Sequence, residues 1–193
     1  MEELTAEALA QRFAHLDCEV PLLSAGSERV ASVLIPLLTA EPCCPVVFTR
    51  RADRMRRHAG EISLPGGLLE PADDGSVISA ALREAQEELG LPPAAVQVQL
   101  VLPHCRNSHG LVIYPVVGIV TRPLQWLLQA EEVAEVIEVP LGHFLRAEHY
   151  RLERRTYDGE EKQSLVLDCG VEQIWGLTAR IMNNLRLLLN PKD

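Results

Sequence analysis

Glu84, Glu87 and Glu88 stand at positions i, i+3 and i+4, so a helix running through them crowds three carboxylates onto one face. Like charges at that spacing cost a helix about 0.2–0.5 kcal/mol per pair, which something must offset. A divalent cation can do so. Hard oxygen ligands on one helical turn suit Mg²⁺ or Mn²⁺, each of which takes one or two carboxylates together with waters and substrate phosphates. A solvated acidic face offers the same spacing. The neighbours of this run set it apart from such a face. Arg83 immediately precedes it, and Gly90 stands where a helix ending at Leu89 wants its C′ residue. Upstream, Leu64-Pro65-Gly66-Gly67 ends an apolar run with two glycines that let the backbone bend tightly and expose its carbonyls.

A second concentration of chemistry lies before those glycines. Arg50, Arg51, Arg54, Arg56 and Arg57 place five of the chain's 18 basic residues in one short stretch, in a protein of formal net charge −9. Arginines beside an acidic metal site fit a phosphate-rich small ligand, because they neutralise the phosphates that the metal leaves uncovered. A solvated loop or a weak nucleic-acid patch carries the same residues. The acidic remainder of the chain and the lack of aromatic neighbours argue against single-stranded nucleic acid.

The helix motif resembles the signature of the Nudix hydrolases, G-x5-E-x7-R-E-U-x-E-E-x-G-U with U aliphatic. Arg83, Glu84, Glu87, Glu88, Gly90 and Leu91 match it, and Ala85 takes the aliphatic position. The first half departs. Asp73 stands where the family has Glu, and nine residues instead of seven separate it from Arg83. The run from Val47 to Gly67 is similar to the element L-L-T-x-x-[SA]-x3-R-x3-G-x3-F-P-G-G of the coenzyme A diphosphatases. Thr49, Ala52, Arg56, Gly60, Pro65, Gly66 and Gly67 match it, Val47 and Phe48 stand for the leucines, and Leu64 stands for Phe. Ile174 to Arg180 is also similar to that subfamily, so the resemblance runs from about Arg29 to Leu189.

The resemblance implies a single domain over residues 1–193, with an N-terminal helix and connector (1–28) before the core (29–189), and an α/β (α+β) fold: an α/β/α sandwich around a mixed β-sheet. It implies a hydrolase that uses Mg²⁺ or Mn²⁺ to cut the diphosphate of coenzyme A and its thioesters into adenosine 3′,5′-bisphosphate and (acyl-)4′-phosphopantetheine. Glu84, Glu87 and Glu88 would be metal ligands, joined by the backbone carbonyl of Gly67, and Arg83 would hold the carboxylates in register. The family often adds a carboxylate from a later loop, for which Glu132 is the first choice and Glu135 the second. Arg51, Arg56, Gly60, Gly66 and Trp175 are the candidate substrate contacts, although a lone Trp in an apolar helix also reads as core. The loop Asn107-Ser108-His109-Gly110 is either substrate-facing or a plain turn. Two other readings keep the fold: a diphosphatase acting on ADP-ribose or NADH, and a nucleotide-binding module without turnover.

Composition agrees with such a domain. A chain of 193 residues that is 47% hydrophobic can bury a sizeable core, and at 4% aromatic that core is aliphatic. No apolar run approaches the roughly 18–20 residues that span a bilayer. Met1-Glu2-Glu3-Leu4 lacks the basic-then-apolar order of a secretory signal, so the expected compartment is cytoplasmic and no membrane or nucleic acid is expected as partner. Five cysteines at irregular spacing, without a C-x-x-C pair, read as reduced thiols.

These side chains need elements to hold them. The pattern predicts a helix over 4–16, a connector over 19–27, and strands over 30–38 and 46–50, with Pro36 weakening the first. A short strand over 62–64 leads to the glycine bend. Asp73, Asp74 and Ser76 offer caps for a helix over 77–89, which would bury Ile78, Leu82, Ala85 and Leu89 and turn the glutamates away from the core. Strands over 96–102 and 112–120 and a helix over 172–189 complete the pattern.

Overall fold

The computed structural model describes residues 5–16, 29–39, 43–55, 58–121, 125–157, 160–170 and 172–190. Its axis is β1 (Val30–Leu38). Leu34 and Leu38 point to one face of the sheet and Ala31, Ile35 and Leu37 to the other. Both faces are buried, so both must be covered by helices. β7 (Val112–Val120) runs parallel to β1 along its whole length, from Val30↔Val112 to Leu38↔Val120.

On its other side β1 changes partner. β4 (Gly66–Leu68) pairs with it at Ala31, Ser32 and Val33, and β2 (Pro45–Arg51) pairs with it only at Leu37. Leu34 donates its N–H to the Pro65 carbonyl on that side, so by the alternation of a strand the missing N–H of Pro36 falls in the gap between the two partners. That is how a proline sits in a central strand without breaking a ladder, contrary to the weakened strand expected from its type. β8 (Val133–Pro140) pairs with β2 along its whole length, and β3 (Ile62–Ser63) flanks its far end at Thr49 and Arg50. β5 (Val96–Val101) and the short β6 (Cys105–Arg106) pair with β7 and complete an eight-stranded mixed sheet.

The even face of β1 carries α2 (Val77–Leu89), where Val77, Ala81, Ala85 and Leu89 pack on Leu34, Leu38, Val47, Val116 and Val120. The opposite face carries α1 (Ala6–Ala14) and α3 (Gly176–Leu189), with Leu9, Phe13, Met182 and Leu185 on Ile35, Phe48, Ile113 and Val117. This is the mixed α+β sandwich expected, with the sheet between the helices. Thr5 caps α1 by accepting from Ala8 N, and Ser76 caps α2 by accepting from Ser79 N. Gly90, at φ 67°, closes α2 in the left-handed conformation.

Two further expectations need correction. The helix expected over 172–189 begins only at Gly176. Gln173–Trp175 form β11, laddered to β10 (Glu160–Asp168), because Ile174 is wholly buried against the core and the Ile-Trp pair fits a half-buried sheet. β10 in turn pairs with β9 (Tyr150–Tyr157) in a hairpin whose alternating charges hid it from the pattern. The buried stripe of α2 is rotated from the one expected. Ile78 and Leu82 are only half-buried, whereas Val77, Ala80, Ala81 and Glu88 are buried. Small alanines let the helix lie close to the sheet, and that tilt carries Glu88 inward. The expected connector over 19–27 lies outside the described residues.

Candidate active site

α2 lies beside β4, and its second half turns two carboxylates toward the glycine bend. Glu88, only 4% exposed, accepts the Gly66 N–H, while its Oε2 has no partner although it is buried. Burial first, then the charges of Glu84 and Glu132, push its carboxyl up to about 8 against the pull of Arg51 and the Gly66 N–H. Glu84 is also raised, mainly by burial, with Arg83 opposing and Glu87 and Glu132 adding to the rise. Glu84, Glu88 and Glu132 therefore share one electrostatic field.

Glu132 reaches that field through the backbone. Leu127 N donates to Leu89 O at 2.9 Å, Gln129 N to Glu88 O at 3.0 Å, Glu132 N to Gln129 O at 2.9 Å and Ala52 N to Glu132 O at 2.8 Å. The segment entering β8 is thus tied to both the end of α2 and the end of β2. Glu135, the second choice, goes elsewhere and pairs with Arg50 at 3.0 Å. Sequence reasoning had no signal for Gln129, and reached Ala52 only as a motif match, because their contribution is made by main-chain atoms.

Arg83 organises the outer edge. Its Nε and Nη2 meet the two oxygens of Asp73, Nη1 meets Glu84 Oε1 at 3.0 Å and Glu87 Oε2 at 3.2 Å, and Nη2 also reaches the Leu68 carbonyl. The longer loop before α2 is taken up by a 3₁₀ turn, Pro71–Asp73, and by Asp74 at φ 50°. Asp73 is 2% exposed and also accepts the Glu70 N–H. Its hydrogen bond to Arg83 is the chief reason that the guanidinium is held even more firmly protonated than usual. Glu87, 53% exposed, shares Arg83 Nη1 with Glu84.

The glycines serve different purposes. A Cβ on Gly67 would fall 2.3 Å from Glu84 Oε1, so the bare backbone is what admits that carboxylate. A Cβ on Gly66 would meet the Ser32 carbonyl at 2.3 Å and the Val33 Cα at 2.6 Å, a clash with backbone. Gly60, at φ 71°, turns the corner from β2 to β3, donating to the Arg51 carbonyl at 3.1 Å. Of the other candidate substrate contacts, Arg51 acts on Glu88 and its Nε is buried without a partner. Arg56 lies outside the described residues. The Trp175 ring lies under the Arg155 guanidinium, 4.9 Å from its centroid, as the last residue of β11. Asn107 closes its loop on itself, its Oδ1 accepting from His109 N and Leu111 N, which leaves His109 exposed.

A hard divalent cation fits this donor set. Glu88 with its orphaned oxygen, the raised Glu84 and Glu132 are carboxyl groups whose ionised forms repel one another, a cost that such an ion relieves. Among the described residues no three carboxylate, imidazole or thiolate groups already stand close enough to hold it. Glu84 Oε1 is turned to Arg83 Nη1, 3.0 Å away.

Residues 28–158 match the model of the NUDIX domain family. The chain is 39% identical over 169 residues to a Nudix hydrolase of Enterobacter sp. (strain 638) called NudL, covering 86% of this chain and 85% of that one. It is 37% identical over 166 residues to NudL of Salmonella paratyphi B, with the same coverage of each chain. Among solved structures, a MutT/nudix family protein from Enterococcus faecalis superposes on 97% of this chain and 71% of its own at a TM-score of 0.51 with 14% identity, a likeness of fold. The carboxylate helix, the glycine bend against it and these matches lead to one conclusion: the chain belongs to the Nudix hydrolase family, enzymes that hydrolyse diphosphates.

Proposed function

We propose that this Nudix hydrolase cuts the diphosphate of coenzyme A and its thioesters, releasing adenosine 3′,5′-bisphosphate and 4′-phosphopantetheine or its acyl form. The supporting observation is Arg51. It belongs to the stretch, Val47 to Gly67, that resembles the coenzyme A diphosphatases, and it is delivered by β2 to the side of Glu88. A substrate with a 3′-phosphate beyond its diphosphate gives such an arginine something to bind.

Glu84, Glu87 and Glu88, directly or through water, with the Gly67 carbonyl, would hold Mg²⁺ or Mn²⁺, which when bound neutralises diphosphate charge and lowers the pKa of water. Arg83, fixed by Asp73, sets the rotamer of Glu84. Glu132 takes the proton from the attacking water at a carboxylate oxygen as the new P–O bond forms and the bridging P–O bond breaks. Arg51 steadies the anionic product, with Arg56, Gly60, Gly66 and Trp175 as further substrate contacts.

Incubation with coenzyme A and Mg²⁺ or Mn²⁺, followed by mass spectrometry, tests the reading. Adenosine 3′,5′-bisphosphate with 4′-phosphopantetheine supports it. Intact coenzyme A with cleavage of ADP-ribose or NADH replaces the substrate and keeps the site.

A further inference from the structure

Arg50 belongs by type with the arginines expected to meet phosphate, yet its guanidinium is already committed to the protein. Nε meets Glu135 on β8 at 3.0 Å, Nη2 meets Glu172 ahead of β11 at 2.5 Å, and Nη1 reaches the Gly60 carbonyl at the β2–β3 corner at 3.4 Å. One side chain therefore holds three segments that are far apart in sequence. Each bears on the site. Glu135 lies three residues beyond Glu132, Gly60 closes the corner that begins at Arg51, and Glu172 stands three residues before Trp175.

The backbone beside Arg50 makes the junction sharper. Arg50 pairs with Glu135 and Arg51 with Val133, so Ala134 is bulged out of the ladder. Past the bulge, Ala52 N takes the Glu132 carbonyl, and the Arg54 guanidinium donates to the carbonyl of Ala130. Strand alternation divides neighbouring arginines between two tasks: Arg50 faces Glu135 and Glu172, and Arg51 faces Glu88. The two ion pairs of Arg50 are partly exposed, a setting in which such pairs add little to global stability. Their value is geometric.

We infer that Arg50 is a positioning residue for diphosphate hydrolysis, a clasp that sets Glu132, the Arg51–Gly60 corner and the β11 segment in register around the substrate. The inference rests on the active-site reading above and not on the choice of coenzyme A. Without the clasp, Glu132 and the substrate-side segments drift relative to α2, while the packed core holds.

The test compares the wild type with Arg50→Met, Glu172→Gln and Arg50→Lys in the full chain, using whichever of coenzyme A, ADP-ribose or NADH the wild type cleaves, with amide hydrogen exchange alongside. The expected result for Arg50→Met is a fall of about tenfold or more in kcat/KM, carried partly by KM, with the unfolding midpoint nearly unchanged. Glu172→Gln should give a smaller fall and add little to Arg50→Met, and Arg50→Lys, able to grip one carboxylate at a time, should recover part of the loss. Exchange should quicken together in 51–55, 58–61, 130–136 and 172–175 and stay slow in α2. A kcat/KM within twofold of wild type, or faster exchange in one of these segments alone, overturns the clasp. If coenzyme A is left intact while ADP-ribose is cleaved, the substrate proposal fails and the clasp is decided on ADP-ribose. If nothing is cleaved, the exchange pattern decides it.

Discussion

Arg83 and Asp73 are joined by two nearly parallel hydrogen bonds, 3.1 Å from Nε to Oδ1 and 3.2 Å from Nη2 to Oδ2. The geometry is bidentate, so it fixes the plane of the guanidinium as well as its place. Nη1 is thereby aimed at Glu84. A shorter acid on a longer loop achieves this because the 3₁₀ turn folds the extra residues away and brings Asp73 under the helix.

Asp73→Asn keeps the shape of this anchor and removes its charge. Breaking a fully buried pair costs about 3–5 kcal/mol, and since Arg83 keeps some solvent contact we expect about 1–3 kcal/mol by urea denaturation, with a fall in kcat. Unchanged stability and turnover would show that Arg83 is oriented by other groups.

Glu88→Gln should lower kcat by about a hundredfold or more, because it removes charge from the most buried oxygen of the proposed cation site. The fold should survive. With a chelator present at pH 8, the variant should be at least as stable as wild type, since a neutral amide avoids the burial that disfavours the carboxylate. A variant that turns over normally with Mg²⁺ rejects Glu88 as a ligand.

The same group gives the chelated protein a pH dependence. Burial and the charges of Glu84 and Glu132 raise Glu88 from 4.5 to about 8, so the folded state keeps a proton that the unfolded chain releases. Its contribution to stability is complete below about pH 4.5 and is lost as pH rises to about 8. Glu84, raised for the same reason, acts with the same sign. A divalent cation compensates the released charge, so the gain in Tm on adding Mn²⁺ should grow across that window. Thermal melts with chelator and with Mn²⁺ at pH 5 and pH 8 measure it, and a gain equal at both pH values would contradict the assignment.

The two neighbouring glycines should respond differently to alanine. In Gly67→Ala the new methyl meets only the end of a side chain, so the chain should fold while Glu84 is pushed aside and kcat falls by about tenfold or more. Gly66→Ala drives a methyl into the backbone of β1, and the expected result is a loss of about 2 kcal/mol or more, read by denaturation. Equal stability in the two variants would refute the distinction.

Leu82 and Leu89 test the rotation of α2. Leu89→Ala, fully buried, should cost about 2–5 kcal/mol, and half-buried Leu82→Ala about 1–2 kcal/mol. The reverse order in denaturation would restore the stripe expected from sequence.

Much of this was legible in the chain. α2 runs between Ser76 and Gly90 as its caps and period require, and β1 and β7 match their apolar runs residue for residue. The inward side of α2 was not legible, because a hydrophobicity pattern ranks Leu82 above Ala81 and places every glutamate outside. Close helix–sheet packing instead favours the small side chains and draws Glu88 in. Glu132 could be nominated from its acidity but not separated from Glu135 by pattern, since main-chain bonds across eighty positions of sequence set where each lies. The hairpin of β9 and β10 escaped because its charges lie on a ladder whose partner faces are known only once it is folded.

The last carbonyls of a helix have no partner within it. In α2 those of Glu88 and Leu89 are taken by Gln129 and Leu127, so the thread that brings Glu132 also finishes the helix that bears Glu88. The two acids are consequently linked through the main chain, the strap that carries Glu132 ending the helix that carries Glu88. Lengthening the chain between Leu127 and Glu132 would be felt first at the helix terminus, whereas the turn at Asn107, closed on its own side chain, can vary in length without that penalty.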